Sequence, residues 1–299
     1  MSRQVQGYLY LALAMVTVGS TVIASKLIAS SLPPFSATAL RFAVAFPVFL
    51  VLMRVTSAWL PKLSRRDWFI LVIQAGAGSV GYTTLLISGL RLTSAADAGV
   101  IIGTLPVVSA AISILLLGER PQRILLFAVA LATAGVLSIA FTPDATGGSL
   151  AGNGLIFCAV VCEGLFIMLN KRLKAEIPPL VQSTLMTGIG FIVAVIPAVF
   201  EAPLAQGFSA SAVAAVVYYA LVPTVGGFLL WYAGAERVSG TEASLFTALA
   251  PVSAVLLAFV VLAEPVGLNQ IAGIACVLAA VLGLALAGSR VAMKPVKET

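Results

Sequence analysis

Two ionisable residues stand in runs that are otherwise apolar. Glu163 interrupts "LIFCAVVCEGLFIML" at residues 155–169, and Arg41 interrupts "FSATALRFAVAF" at residues 35–46. A charge in such a run is costly to bury, so each calls for a partner or a function. The Glu163 carboxylate could hold a ligand's ammonium or carry a proton; the alternatives are a pairing with a neighbouring helix or a reach toward water. The planar Arg41 guanidinium could grip a carboxylate bidentately, or cap carbonyls and pair with an acid to lock its own helix. Uncharged polar groups surround the same theme. Gln74, Ser79, Tyr82 and Thr83 lie in "QAGAGSVGYTTLLISG", and Tyr218 and Tyr219 open "YYALVPTVGGFLLWYAG". Such groups orient a small ligand in an apolar pocket, with Tyr82 the first candidate to stack on one; helix-to-helix hydrogen bonding is the other role open to them.

The residues that are missing narrow the chemistry further. The chain has no histidine and three cysteines, Cys158, Cys162 and Cys276, so zinc sites of four cysteines, or of any set that needs histidine, are excluded. Cys158 and Cys162 read as small packing residues. No nucleophile and base stand at a recognisable spacing and no GxxxxGK[ST] run occurs, which disfavours an intramembrane enzyme and a nucleotide-driven pump. Neither a cofactor nor a metal is expected.

The elements that must position these groups follow from composition. Of 299 residues 61% are hydrophobic and 9% charged, with mean hydropathy +1.11, where a soluble domain carries about a quarter of its residues charged. A spanning helix needs about 20 apolar residues. Ten such segments fit, at 6–29, 34–54, 68–89, 95–117, 122–141, 151–171, 179–200, 211–235, 241–262 and 267–288. With the N-terminus in the cytoplasm, 14 of the 17 basic residues fall on the cytoplasmic side, all but Lys26, Arg41 and Arg91, as the positive-inside rule requires. Both termini are therefore expected in the cytoplasm, the basic tail at 291–299 being solvated there or in weak contact with anionic lipid. The net charge of +6 is a matter of topology and not of nucleic-acid binding.

The chain also repeats itself. Asp97 answers to Glu242, Pro106 to Pro251 and Glu119 to Glu264, each 145 residues later. The same offset pairs Gly7 with Gly152, Gly19 with Gly164, Lys26 with Lys171, Pro33 and Pro34 with Pro178 and Pro179, Gly81 with Gly226, and Gly89 with Gly234. The expected domains are a first five-helix repeat at 1–145 and a second at 146–290. Five is odd, so the second copy is inverted, and inverted copies can exchange conformations around a central cavity. Pro106 and Pro251 are candidate hinges in helices four and nine, or static kinks that aid packing. Asp97 and Glu242 open those helices, where carboxylates favour the positive end of the helix dipole. Glu119 and Glu264 close them and organise the following turn.

The stretch "PPFSATALRFAVA", the acid-headed proline helix closing on "LLLGERP" and its echo closing on "VVLAEP" resemble the EamA-type members of the drug/metabolite transporter superfamily, and among them the YddG-like bacterial exporters of aromatic amino acids. The resemblance covers the whole chain. It implies a basket in which helices one to four and six to nine enclose a cavity while five and ten stay peripheral, and it matches Arg41 to the family's arginine. The halves depart from each other at Met186, which stands where the first repeat has Arg41, and at "AEP" for "GERP".

The expectation is an all-α membrane protein that exports small metabolites, amino acids including aromatic ones first among them, by alternating access in a bacterial inner membrane. Drugs, nucleosides or other metabolites are the alternative cargo. Its partners are then a small-molecule substrate and membrane lipid, as a monomer or weak homodimer. A reporter fused after Thr299 tests the topology: an enzyme active only in the cytoplasm is expected there, and activity in the periplasm overturns it.

Overall fold

The computed structural model describes residues 3–105, 149–170, 172–201, 209–235 and 249–292, with scattered positions at 107–109, 111–112, 123, 127, 130–131, 134–135, 237 and 246. The expected fifth helix, the junction between residues 145 and 146, Pro106, Glu119, Lys171, Glu242 and residues 293–299 of the tail lie outside this set or largely so.

Every regular element among the described residues is helical. They are α1 (Arg3–Ala29), α2 (Pro34–Val55), α3 (Arg65–Gln74), α4 (Tyr82–Leu90), α5 (Ala95–Ile102), α6 (Leu150–Asn170), α7 (Pro179–Phe200), α8 (Ala210–Tyr219), α9 (Gly227–Ala235), α10 (Leu249–Leu262) and α11 (Leu268–Ala292). Two π-helical stretches, Ala75–Gly81 and Ala220–Gly226, join α3 to α4 and α8 to α9 without a break in the helix. Six of the resulting helices are long and apolar enough to cross a membrane. Their outward faces carry large apolar side chains such as Val51, Ile196 and Phe200, as hydrocarbon requires of a surface whose backbone polar groups are all paired within helices.

Local chemistry sets the helix starts. Prolines at the first helical position, Pro34 and Pro179, open α2 and α7, where the missing N–H is an orphan in any case. Ser64 and Ser209 cap α3 and α8 by accepting from the N–H groups of Asp67 and Ala212, and Asp67 completes a capping box on Ser64. The expected fourth helix does not run unbroken. Its first segment, α5, ends at Ile102; Gly103 and Thr104 form a turn, just where Pro106 cannot supply the N–H that the Ile102 carbonyl would need, and helix resumes at Leu105 and 107–109.

The 145-residue offset governs structure as well as sequence. It carries α2 onto α7, α3 onto α8, the first π stretch onto the second and α4 onto α9, end for end. Packing obeys it too. The principal partners are α2 with α7, α4 with α6, and α1 with both α9 and α10, so helices pair across the two halves. A Cβ at Gly89 would stand 2.6 Å from Ile156 Cδ1 and 3.0 Å from the Gly152 carbonyl, while one at Gly234 would stand 2.7 Å from Leu11 Cγ and 3.1 Å from the Gly7 carbonyl. These are one contact made twice, since all three residues of the first set lie 145 from those of the second. Between α2 and α7, Phe42 and Phe46 press on Gly190 and Gly188.

One end of the bundle is stitched by polar contacts. Lys26 donates to the carbonyls of Leu90 and Thr93, and Arg91 to those of Ala29 and Leu32. Glu201 accepts from the N–H groups of Phe35 and Ser36 at the start of α2. Glu264 accepts from those of Ala95 and Ala96 at the start of α5, and Gln270 donates to Asp97. Asp97 thus sits in a first helical turn as expected, whereas Glu264 caps a helix of the other half in addition to ending its own.

Gly89→Val would drive branched carbons into Ile156 and the Gly152 backbone, and should cost about 1–3 kcal/mol. Gly154 has nothing within 4 Å of an added Cβ, so Gly154→Ala is the neutral control. Thermal unfolding in detergent reads both, and equal midpoints would contradict this packing.

Candidate substrate site

Arg41 lies seven residues into α2, about 10 Å of helical rise from Pro34. Tyr82 is eight residues from Leu90 and Tyr219 nine from Ala210, about 12 and 14 Å from the same end of the bundle. Three residues from three separate helices are therefore brought to one depth, near the middle of the membrane.

Arg41 is the centre of the candidate site. Arg41 is buried at 7% exposure. Its Cζ lies 4.3 Å from the centroid of the Phe42 ring and 4.5 Å from that of Tyr219, within reach of the negative ring faces. One guanidinium nitrogen, Nη2, donates at 3.5 Å to the Ser79 carbonyl, and Nε has no hydrogen-bond partner among the described residues. A buried cation with an idle donor is expensive unless a ligand completes it. Tyr218 donates to Ser20 of α1 at 2.8 Å. Glu163 is deeper, thirteen residues along α6 from Leu150, and half-buried.

The other expected residues divide. Ser79 contributes its carbonyl, which also accepts from Thr83 Oγ1 at 2.9 Å, so the Thr83 hydroxyl is spent on its own helix. Gln74 is fully buried and donates to the Phe166 carbonyl at 3.2 Å, while its Oε1 has no partner. By the repeat, Gln74 corresponds to Tyr219 and Arg41 to Met186, which packs with Leu71, Ala75 and Phe166. Arg41 thus lies between two aromatic rings in one half, while its counterpart Met186 sits in an apolar cluster, with Thr187 and Gln74 at the positions that Phe42 and Tyr219 hold. Pro251 is buried in α10 against Gly103, and Pro106 lies outside the described residues. Ser20 is not among the expected residues, although "GSTVIASK" is a polar cluster within a spanning helix that marks it. A pocket of about 310 Å³ between α2, α7 and α9 is lined by Phe49, Leu180, Phe228 and Leu229 among others; it holds no charged group and is separate from Arg41.

An all-helical membrane chain, built from two matched halves around a charged and aromatic centre, is a repeat-based membrane transporter. It belongs to the EamA-like transporter family, whose model matches it twice, at residues 5–141 and 150–286. Among curated relatives, an uncharacterized transporter, YetK of Bacillus subtilis (strain 168), is 36% identical over 283 residues, covering 92% of this chain and 86% of that protein. A probable terminal-alkyne amino-acid exporter of Streptantibioticus cattleyicolor is 28% identical over 209 residues, 67% of each chain. A solved crystal structure shares the fold, with TM-score 0.64 at 20% identity, covering 97% of this chain and 98% of that one. The family and these relatives are transporters, not enzymes.

Replacing Arg41 by the residue that the second repeat carries separates function from stability. Arg41→Met should leave the melting temperature equal or higher, because it removes an incompletely satisfied buried charge. It should also abolish uptake of carboxylate-bearing cargo by purified protein in liposomes. Unchanged uptake would remove Arg41 from the site.

Proposed function

We propose that this protein exports small amphipathic metabolites, amino acids including aromatic ones first among them, by alternating access. The membrane is the bacterial inner membrane, with both termini in the cytoplasm and the stitched end of the bundle facing the periplasm. The observation that carries the reading is the Arg41 guanidinium, held at mid-depth between Phe42 and Tyr219 with Nε idle. A substrate carboxylate completes that donor set bidentately, and the surrounding rings of Tyr82, Tyr219 and Phe42 receive an apolar or aromatic side chain. Glu163 supplies the opposite charge for an ammonium. The amino-acid exporter among the relatives supports the same cargo class. The working form is a monomer or weak homodimer in lipid, and the gradient of the cargo itself, with or without protons, supplies the driving force.

Flux in proteoliposomes tests the reading, with labelled amino acids and nucleosides and with or without an imposed proton gradient. Uptake of L-phenylalanine or another amino acid is expected. Nucleoside flux with no amino-acid flux would transfer the cargo to the other class. Acceleration by the proton gradient marks coupling, in which case Glu163→Gln should flatten the pH dependence of flux; an unaltered pH profile removes Glu163 from that role.

A further inference from the structure

The two π-helical stretches occupy equivalent places, Ala75–Gly81 and Ala220–Gly226, in helices that are otherwise regular. Each closes on the same wide turn: the Tyr82 N–H donates to the Ala77 carbonyl and the Gly227 N–H to the Val222 carbonyl, five residues back in both cases. Such turns are rare and cluster at functional sites, because they leave a helix with a loosened ladder that bends easily. The chemistry that loosens each differs. "AGAGSVG" offers three glycines with little to resist bending. In "ALVPTVG", Pro223 removes the N–H that the Tyr219 carbonyl would take in an α-helix, and Thr224 Oγ1 replaces it at 2.9 Å.

Arg41 touches both. Its Nη2 reaches the Ser79 carbonyl within the first stretch, and its Cζ lies over the ring of Tyr219, the residue that leads into the second. We propose that the two π stretches are the hinges of the transport cycle, and that Arg41 is a positioning residue that reports substrate occupancy to both. This rests on the reading of Arg41 as the group that binds a substrate carboxylate. A carboxylate on Nε and Nη2 makes charge-assisted bonds of about 2.7–2.9 Å, far better than the 3.5 Å contact to Ser79. The guanidinium therefore leaves the Ser79 carbonyl and the Tyr219 face when cargo binds. Both hinges lose a restraint at one moment, which gives the ligand the differential affinity for two conformations that any population shift needs. The second repeat cannot do this from its own side, because Met186 lacks the donors.

Two glycines make clean probes. An added Cβ at Gly76 meets nothing within 4 Å, and at Gly226 only its own helix's Leu221 carbonyl at 3.5 Å. Gly76→Ala and Gly226→Ala thus stiffen the stretches, through alanine's higher helix propensity, without a steric clash. The experiment is double electron–electron resonance in proteoliposomes between spin labels at Arg66→Cys and Leu92→Cys, on either side of the first hinge, with Cys158, Cys162 and Cys276 changed to alanine. Two distance populations are expected, with L-phenylalanine shifting their ratio at least threefold. Gly76→Ala should collapse them to one. Gly76→Ala and Gly226→Ala should each slow the maximal flux of L-phenylalanine at least fivefold, with the half-saturating concentration unchanged within twofold. Arg41→Lys, which keeps the charge but lacks Nε, should keep both populations and lose the response to L-phenylalanine. A single distribution that Gly76→Ala leaves unaltered overturns the hinges whatever the cargo. Populations that respond to Gly76→Ala but ignore an L-phenylalanine that the protein transports overturn the link through Arg41. No flux of any amino acid overturns the cargo reading instead, and Gly76→Ala then decides the hinges alone.

Discussion

Close approach of helix backbones from opposite halves is the constraint on which this structure rests. In lipid no hydrophobic force drives helices together, so packing and polar contacts must do it. The Gly89–Gly152 approach and its twin, Gly234 against Gly7, bring carbonyl oxygens to within contact of where a side chain would begin. Both lie across the seam between the repeats, and the seam helices α2 and α7 are sealed by phenylalanines on glycines. With glycines taking the large side chains of the other half at these crossings, the helices pack closely, and a single arginine reaches the Ser79 carbonyl and the Tyr219 ring from α2. Site geometry is therefore a product of glycine placement remote from the site.

Much of this was legible in the residues. Ten apolar segments and the 145-residue register follow from composition and spacing, because a membrane imposes a length on each helix and duplication preserves turn-forming Gly and Pro. Arg41, Tyr82 and Tyr219 are candidates from residue type, depth and, for Arg41, the family resemblance; the structure puts all three at one depth and lays Arg41 against the Tyr219 ring. The partners were not legible. Glu264 reads as a local helix end because its second role, capping Ala95 and Ala96, involves residues 169 and 168 positions away. The hydroxyl partner of Tyr218 is Ser20 on α1, 198 positions away in sequence. The π stretches escape any periodicity argument, since one wide turn leaves the apolar pattern of a spanning helix almost unchanged. Pro223 signals a disturbance in the second, but "AGAGSVG" signals only small size.

The polar contacts at one end form a different layer of the design. Glu201 and Glu264 each satisfy two N–H groups at the start of a helix in the other half, where the helix dipole favours negative charge. These bonds lie near the membrane surface. Water can replace them when that end opens, so they set which contacts are exchanged without making separation prohibitive.

The mismatch of Arg41 and Met186 has a thermodynamic consequence. Two copies of one unit, inverted, would give a molecule whose two facing orientations are mirror accounts of each other, equal in free energy when empty. Placing a cation in one cradle and a thioether in the other lifts that degeneracy, because the guanidinium meets a different field and different dipoles in each orientation. Under the alternating access proposed above, the empty protein has a preferred resting side and returns there at a different rate from that at which it leaves. Net direction still belongs to the gradients, but the half-saturating concentration seen from one face of the membrane need not equal that seen from the other.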